Sequence, residues 1–153
     1  MAVKKIHLFN SPVLTLPCRG IVAPITAETE QLALDLKDTL EHHIKKGYGL
    51  AAPQIGILQR MFAFVNLQTG NIGIFINPKC DQFSPNIVEQ RESCLSYPGL
   101  WKSIKRPEWG LFSGLDITGK EMKIKVEGLQ ARIFFHEIDH LNGQCRVVTK
   151  KRR

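Results

Sequence analysis

Two histidines four residues apart, His136 and His140, with Glu137 directly after the first, stand in the stretch FFHEIDHLNG near the end of a 153-residue chain. On a helix of about 3.6 residues per turn this spacing brings both imidazoles to one face, about 40° apart, where they can share a metal ion beside a carboxylate. Leu129, Ile133 and Leu141 fall in the same stripe, so the two rings are expected to point toward the core. A buried histidine pair without partners is costly, and a metal satisfies both rings at once. The competing reading is a polar pair in an ordinary packed helix. The spacing by itself leaves the reaction open, because peptide-bond cleavage and other metal-assisted hydrolyses share it.

A catalytic metal of this kind takes three protein ligands and keeps a fourth position for water. The 13 residues after His140 contain neither glutamate nor histidine, so the third ligand is expected upstream: Cys94 in RESCLSYPG, Cys80 in NPKCD, or an acidic residue. Cys94 ends an extended stretch in which Glu92 and Ser96 alternate around it, a setting that can hold a thiolate rigidly. The alternative is a small buried hydrophobe, as free cysteines often are. Cys18, Cys80, Cys94 and Cys145 lie far apart with no CxxC pair, which argues against both a zinc ribbon and a disulfide scaffold.

The elements that must position these groups follow from periodicity. Leu32, Leu36, Leu40 and Ile44 form a helical stripe from Ala27 to Lys46, with Thr26 as N-cap, Glu28 and Glu30 in the first turn, and Lys45, Lys46 and Gly47 as the stop. GYGLAAPQIG, residues 47–56, is too rich in Gly, Ala and Pro for a regular element. Residues 61–67 and 72–76 read as two strands joined by a turn, the second ended by Asn77 and Pro78. Residues 87–96 read as extended, and 109–116 and 122–126 as further strands. Residues 129–141 form the last helix, stopped by Asn142 and Gly143. Antiparallel strands packed around a late metal-binding helix, with another helix near the N-terminus, make the fold class α+β.

The length suits one domain over residues 1–153. Hydrophobic residues at 43% and charged residues at 23% exclude disordered and fibrous classes. No apolar run is long enough to span a bilayer, and His7, Asn10, Ser11 and Pro12 interrupt what a secretion signal would need, so a cytoplasmic location is expected. The net charge of +7 is concentrated in part in the terminal Lys150–Arg153 tail, a solvated terminus or a contact for a polyanion such as ribosomal RNA.

GYGLAAPQIG, ESCLS and HEIDHLNG, in this order and spacing, resemble the three signature motifs of peptide deformylase, the metalloenzyme that removes the N-formyl group from nascent polypeptides. The similarity runs from about Ile25 to Gly143. It implies Cys94, His136 and His140 as metal ligands, Glu137 as catalytic acid/base, and Gln54 with the backbone N–H of Leu95 as oxyanion donors. Fe²⁺ is the implied native metal, with Zn²⁺, Ni²⁺ or Co²⁺ able to substitute. A thiolate ligand suits a soft or redox-active metal, and the iron form would be oxygen-sensitive. Formyl-methionyl peptides are the implied substrate, lying along Gly47, Tyr48 and Gly49 as an added strand, with Leu129 and Arg132 beside the methionine pocket. An inactive relative that binds peptide N-termini or ribosomes is the alternative, and a zinc endopeptidase is disfavoured by the lack of a downstream ligand.

The chain departs from the family pattern in places. Ser93 stands where glycine is usual and would be strained if the position required positive φ. Phe135 replaces a glutamine and removes a polar contact to the site. Arg132 replaces an apolar pocket residue, although its aliphatic stem can still pack. Glu92 and Arg106 match an ion pair expected to brace the cysteine strand. The short segment after Gly143 resembles deformylases encoded by phages, which lack a further C-terminal helix; for such a member the cytoplasm is that of the host bacterium.

Overall fold

The computed structural model describes residues 3–148. The Lys150–Arg153 tail lies outside the described residues. Helix α1 spans Ala27–His42, and Thr26 caps it by accepting a hydrogen bond from the Thr29 backbone N–H at 3.2 Å. The helix stops short of Lys46: His43 N–H donates to Leu40 O and Ile44 N–H to Glu41 O, so the chain tightens into turns before Gly47.

Seven strands follow: β1 (Gly49–Ala51), β2 (Met61–Val65), β3 (Ile72–Phe83), β4 (Ile87–Cys94), β5 (Tyr97–Pro107), β6 (Trp109–Leu115) and β7 (Glu121–Glu127). Helix α2 spans Gly128–Leu141. The strands form an antiparallel five-stranded sheet in the order β1-β2-β3-β6-β7 and a separate ribbon, β4-β5. The α+β class stands, with three corrections to the local reading. Residues 49–51 are a true strand despite their composition, because the edge of β2 supplies the pairing. Asn77 and Pro78 do not end β3: Asn77 takes φ 50° at a bulge, where its side chain bonds Ile21 N–H and Ile21 O, and the strand continues to Phe83. Strand β5 went unread because it opens on a turn-like Pro98–Gly99 pair and only Ile104 and Arg106 are buried, so pairing with β4 is what defines it.

The sheet is covered on both faces, and β2 shows how. All five residues of MFAFV are buried. Met61, Ala63 and Val65 pack with Leu32, Leu36 and Leu40 of α1, whereas Phe62 and Phe64 pack with Ile133, Phe134 and Leu141 of α2. Phe134 sits within 4.8–5.6 Å, centroid to centroid, of Phe62, Phe64, Phe75 and Phe112, mostly edge to face. This aromatic anchor fixes α2 against the sheet and turns its histidine face toward the β4-β5 ribbon. Phe135 joins the same core through Phe112, at 5.0 Å.

Candidate metal centre

On α2 the turn that plants Phe134 in the core leaves His136, Glu137 and His140 buried on the adjoining face. Strand β4 ends opposite them. A register shift between Glu92 and Cys94, just before the tight turn to Tyr97, aims the Cys94 sulfur at the helix, and Cys94 Sγ lies 3.3 Å from His140 Nε2. Ser93 takes this bulge without strain, since Asn77 is the only non-glycine residue with positive φ among the described residues. The ligand atoms of Cys94, His136, His140 and Cys145 all lie within 4.8 Å of one another.

Glu92 orients the first histidine. Its carboxylate meets His136 Nδ1 at 3.0 Å, leaving Nε2 as the ring nitrogen that can face a metal. The same carboxylate takes a bidentate pair from Arg106, at 2.9 and 3.0 Å, and a 2.6 Å hydrogen bond from Arg132. Arg106 also reaches Asp139 on α2 at 2.6 Å, and Arg132 donates to the carbonyls of Ile104 and Val88. Burial pushes the Glu92 carboxyl up, but the hydrogen bonds with His136 and Arg106 outweigh it and hold the group well below its ordinary range. Glu92 and Arg106 are therefore a buried brace, not a surface pair, and their worth lies in the cost of breaking it.

Glu137 occupies the opposite environment. Its Oε1 is buried without a hydrogen-bond partner, and burial drives the carboxyl up to about 8, offset only in part by His140. It lies against Gly49, where a Cβ would come within 2.5 Å of Oε2, so glycine is required there to admit the carboxylate. At Gly47 a Cβ would meet the Leu95 side chain at 2.9 Å. These two glycines thus make room first for the chain's own side chains. Gln54, buried beneath them, accepts from Ala51 N–H through Oε1 and turns its amide N–H₂ toward Ser96 Oγ (3.0 Å) and Cys94 Sγ (3.7 Å).

A cavity of about 850 Å³ opens over these groups. Gly47, Tyr48, Gly49, Leu129 and Arg132 all line it, with Tyr48 and Leu129 exposed. The Arg132 guanidinium is bound into the Glu92 brace and to the carbonyls of Ile104 and Val88. Cys80 is excluded as a ligand, since its thiol donates to Gln82 O on strand β3 and it is absent from the donor cluster.

Cys145 adds a candidate donor from beyond the helix to the upstream Cys94. The chain turns back after Gly143 and places this thiol among the other three donors. Cys94 and Cys145 share a hydrogen bond, which together with burial raises the Cys94 thiol and, as its largest cause, draws Cys145 down. Asp139, inside the HEIDH motif, is the other residue that the sequence reading passed over. It ties Arg106 to Arg146 and so anchors the segment beyond the helix. A cysteine five residues after the second histidine was the only available signal.

The arrangement fits a divalent ion: soft and imidazole donors converge, a neighbouring buried carboxylate lacks a partner, and a histidine is oriented from behind. The polypeptide deformylase family model matches residues 3–152. The chain is 38% identical over 143 residues to the peptide deformylase of Desulforudis audaxviator, covering 94% of this chain and 90% of that protein. It is 40% identical over 143 residues to that of Natranaerobius thermophilus, covering 94% and 89%. Its structure superposes on the crystal structure of peptide deformylase from Thermotoga maritima with a TM-score of 0.89 at 30% identity, covering 99% of this chain and 100% of that one. A class I type b peptide deformylase from Acinetobacter baumannii gives a TM-score of 0.90 at 28% identity, covering 97% and 100%. The chain belongs to the polypeptide deformylase family, metal-dependent hydrolases that remove the formyl group from nascent polypeptides.

Proposed function

We propose that one domain performs this deformylation on N-formyl-methionyl chains, with Cys94, His136 and His140 holding the metal and Glu137 moving the proton. Fe²⁺ is the proposed native ion, with Zn²⁺, Ni²⁺ or Co²⁺ as substitutes, and the bacterial cytoplasm the proposed location. A divalent ion held by Cys94, His136 and His140 would supply a water of pKa ~7 and a Lewis acid for the formyl oxygen. Glu137 then accepts the water's proton at its carboxylate and returns it to the leaving amine nitrogen. Gln54 Nε2 and the Leu95 backbone N–H donate to the oxygen that gains charge. The peptide pairs along Gly47, Tyr48 and Gly49, the chain leading into β1 at the edge of the sheet, and the methionine side chain enters the cavity beside Leu129 and Arg132.

The observation that carries this reading is the convergence of the Cys94, His136 and His140 donors beside the buried Glu137 carboxyl, one oxygen of which is unpartnered. It is tested by supplying anaerobic Fe²⁺- or Ni²⁺-loaded protein with a formyl-Met dipeptide. Formate release is expected, and its absence from fully metallated protein would leave a binding role only. Deleting Lys150–Arg153 tests tail-mediated ribosome docking: binding and its salt dependence should weaken, and unchanged binding rejects the contact.

A further inference from the structure

The segment after α2 is built to hold Cys145 in place. Gly143, at φ 76°, reverses the chain flush against Thr15 and Leu16, where a Cβ would come within 2.8 Å of Thr15 O. Gly143 N–H donates to His140 O and Gln144 N–H to Asp139 O, at 3.0 and 2.8 Å. On the far side of Cys145, Arg146 pairs with Asp139 and donates to Lys105 O, both at 3.3 Å, and Val147 is buried. The thiol is thus pinned from both directions, through Asp139, to the brace that holds His136 and Cys94.

Four donors around one tetrahedral ion, at S and N bond lengths typical of zinc, stand about 3.3–3.8 Å from one another. Cys94 Sγ and His140 Nε2 are already 3.3 Å apart, and all four ligand atoms fall within 4.8 Å of one another. Closing the set asks the widest separation to contract by about 1 Å. Two thiolates also neutralise a divalent ion, which suits a centre whose residues are largely buried.

We infer that Cys145 Sγ is a fourth protein ligand, so that the resting centre is a Cys₂His₂ set whose fourth position is held by sulfur instead of water. The inference rests on the ligand assignment of Cys94, His136 and His140. It implies that the site favours Zn²⁺ more than a single-thiolate centre does, and that water or substrate reaches the ion by displacing Cys145.

The test is made on reduced full-length protein loaded with Co²⁺ or Zn²⁺. X-ray absorption of the unmutated protein should count two sulfurs per metal; one sulfur overturns the inference. In Cys145→Ala the sulfur-to-cobalt charge-transfer band should fall to about half, and Zn²⁺ retention against a chelator should drop by more than about 100-fold, beyond the roughly 10- to 100-fold that loss of an orienting partner commonly costs. An undiminished band also overturns it. Formate release from the same samples reads the deformylase assignment separately: its loss with two sulfurs bound would strike the catalytic reading and leave the ligand intact.

Discussion

Two glutamates on either side of one histidine have opposite fates. Glu92 is held ionised by Arg106, Arg132 and His136, whereas Glu137, buried to a similar depth, has an oxygen with no partner and a carboxyl raised to about 8. The first region stores its charges in mutual contacts and serves as a frame. The second leaves a carboxyl raised by burial, with one oxygen unpartnered beside the donor cluster. Environments that push two carboxyls apart in this way separate the structural role from the acid/base role.

The sharpest way to break the comparison is to swap the chemistry of one member. Glu137→Gln should keep the metal and the fold yet lower formate release by roughly 10²- to 10⁴-fold; a variant within tenfold of the parent would remove Glu137 from the proton path. Glu92→Gln should act mainly on the fold, costing about 3–5 kcal/mol of stability in denaturant titrations, because Arg132 is left buried without its carboxylate partner and Arg106 keeps only Asp139. Its sign with pH is set: the folded-state carboxyl lies below its ordinary 4.5, so its contribution is full above that pH and drains away as pH falls toward the folded value. The gap between parent and variant must therefore narrow in acid, and a gap that widened would sink the assignment.

Gln54→Ala probes the donor side of the Glu137 region, and should reduce kcat by about 10²- to 10³-fold with metal content unchanged. A rise in KM alone would show binding, not charge stabilisation. Gly49→Ala makes the smallest change: a methyl forced against Glu137 should shift the carboxylate and lower turnover on the order of tenfold to a hundredfold. If Gly49→Ala instead left turnover intact but weakened peptide binding, the glycine would serve the substrate strand and not the carboxylate.

Much of the site was legible because its logic is local. His136, Glu137 and His140 needed only the helical period, and Thr26 needed only the chemistry of a cap. Cys94 was legible as a candidate by its place at the end of an extended run. Arg132 was misplaced in emphasis, since its sequence neighbours say nothing of Glu92, forty residues away, which captures its guanidinium. Cys145 escaped notice for a related reason: nothing between Gly143 and Val147 indicates which way the reversed chain will point. Strand β5 was missed because its first seven residues have no buried face, and its short buried alternation, Ile104 and Arg106, includes a charged side chain that the sequence does not mark as inward.

The sequence by itself determined which groups could share one helical face, where α1 begins, and that a carboxylate accompanies the two histidines, all consequences of backbone geometry over a few residues. Only the tertiary structure decided which sulfurs meet those histidines, which glutamate is locked into ion pairs, and where Arg132 spends its charge. Those outcomes depend on burial and on partners 40 to 46 residues apart, and desolvation and ion pairing act through space, not along the chain.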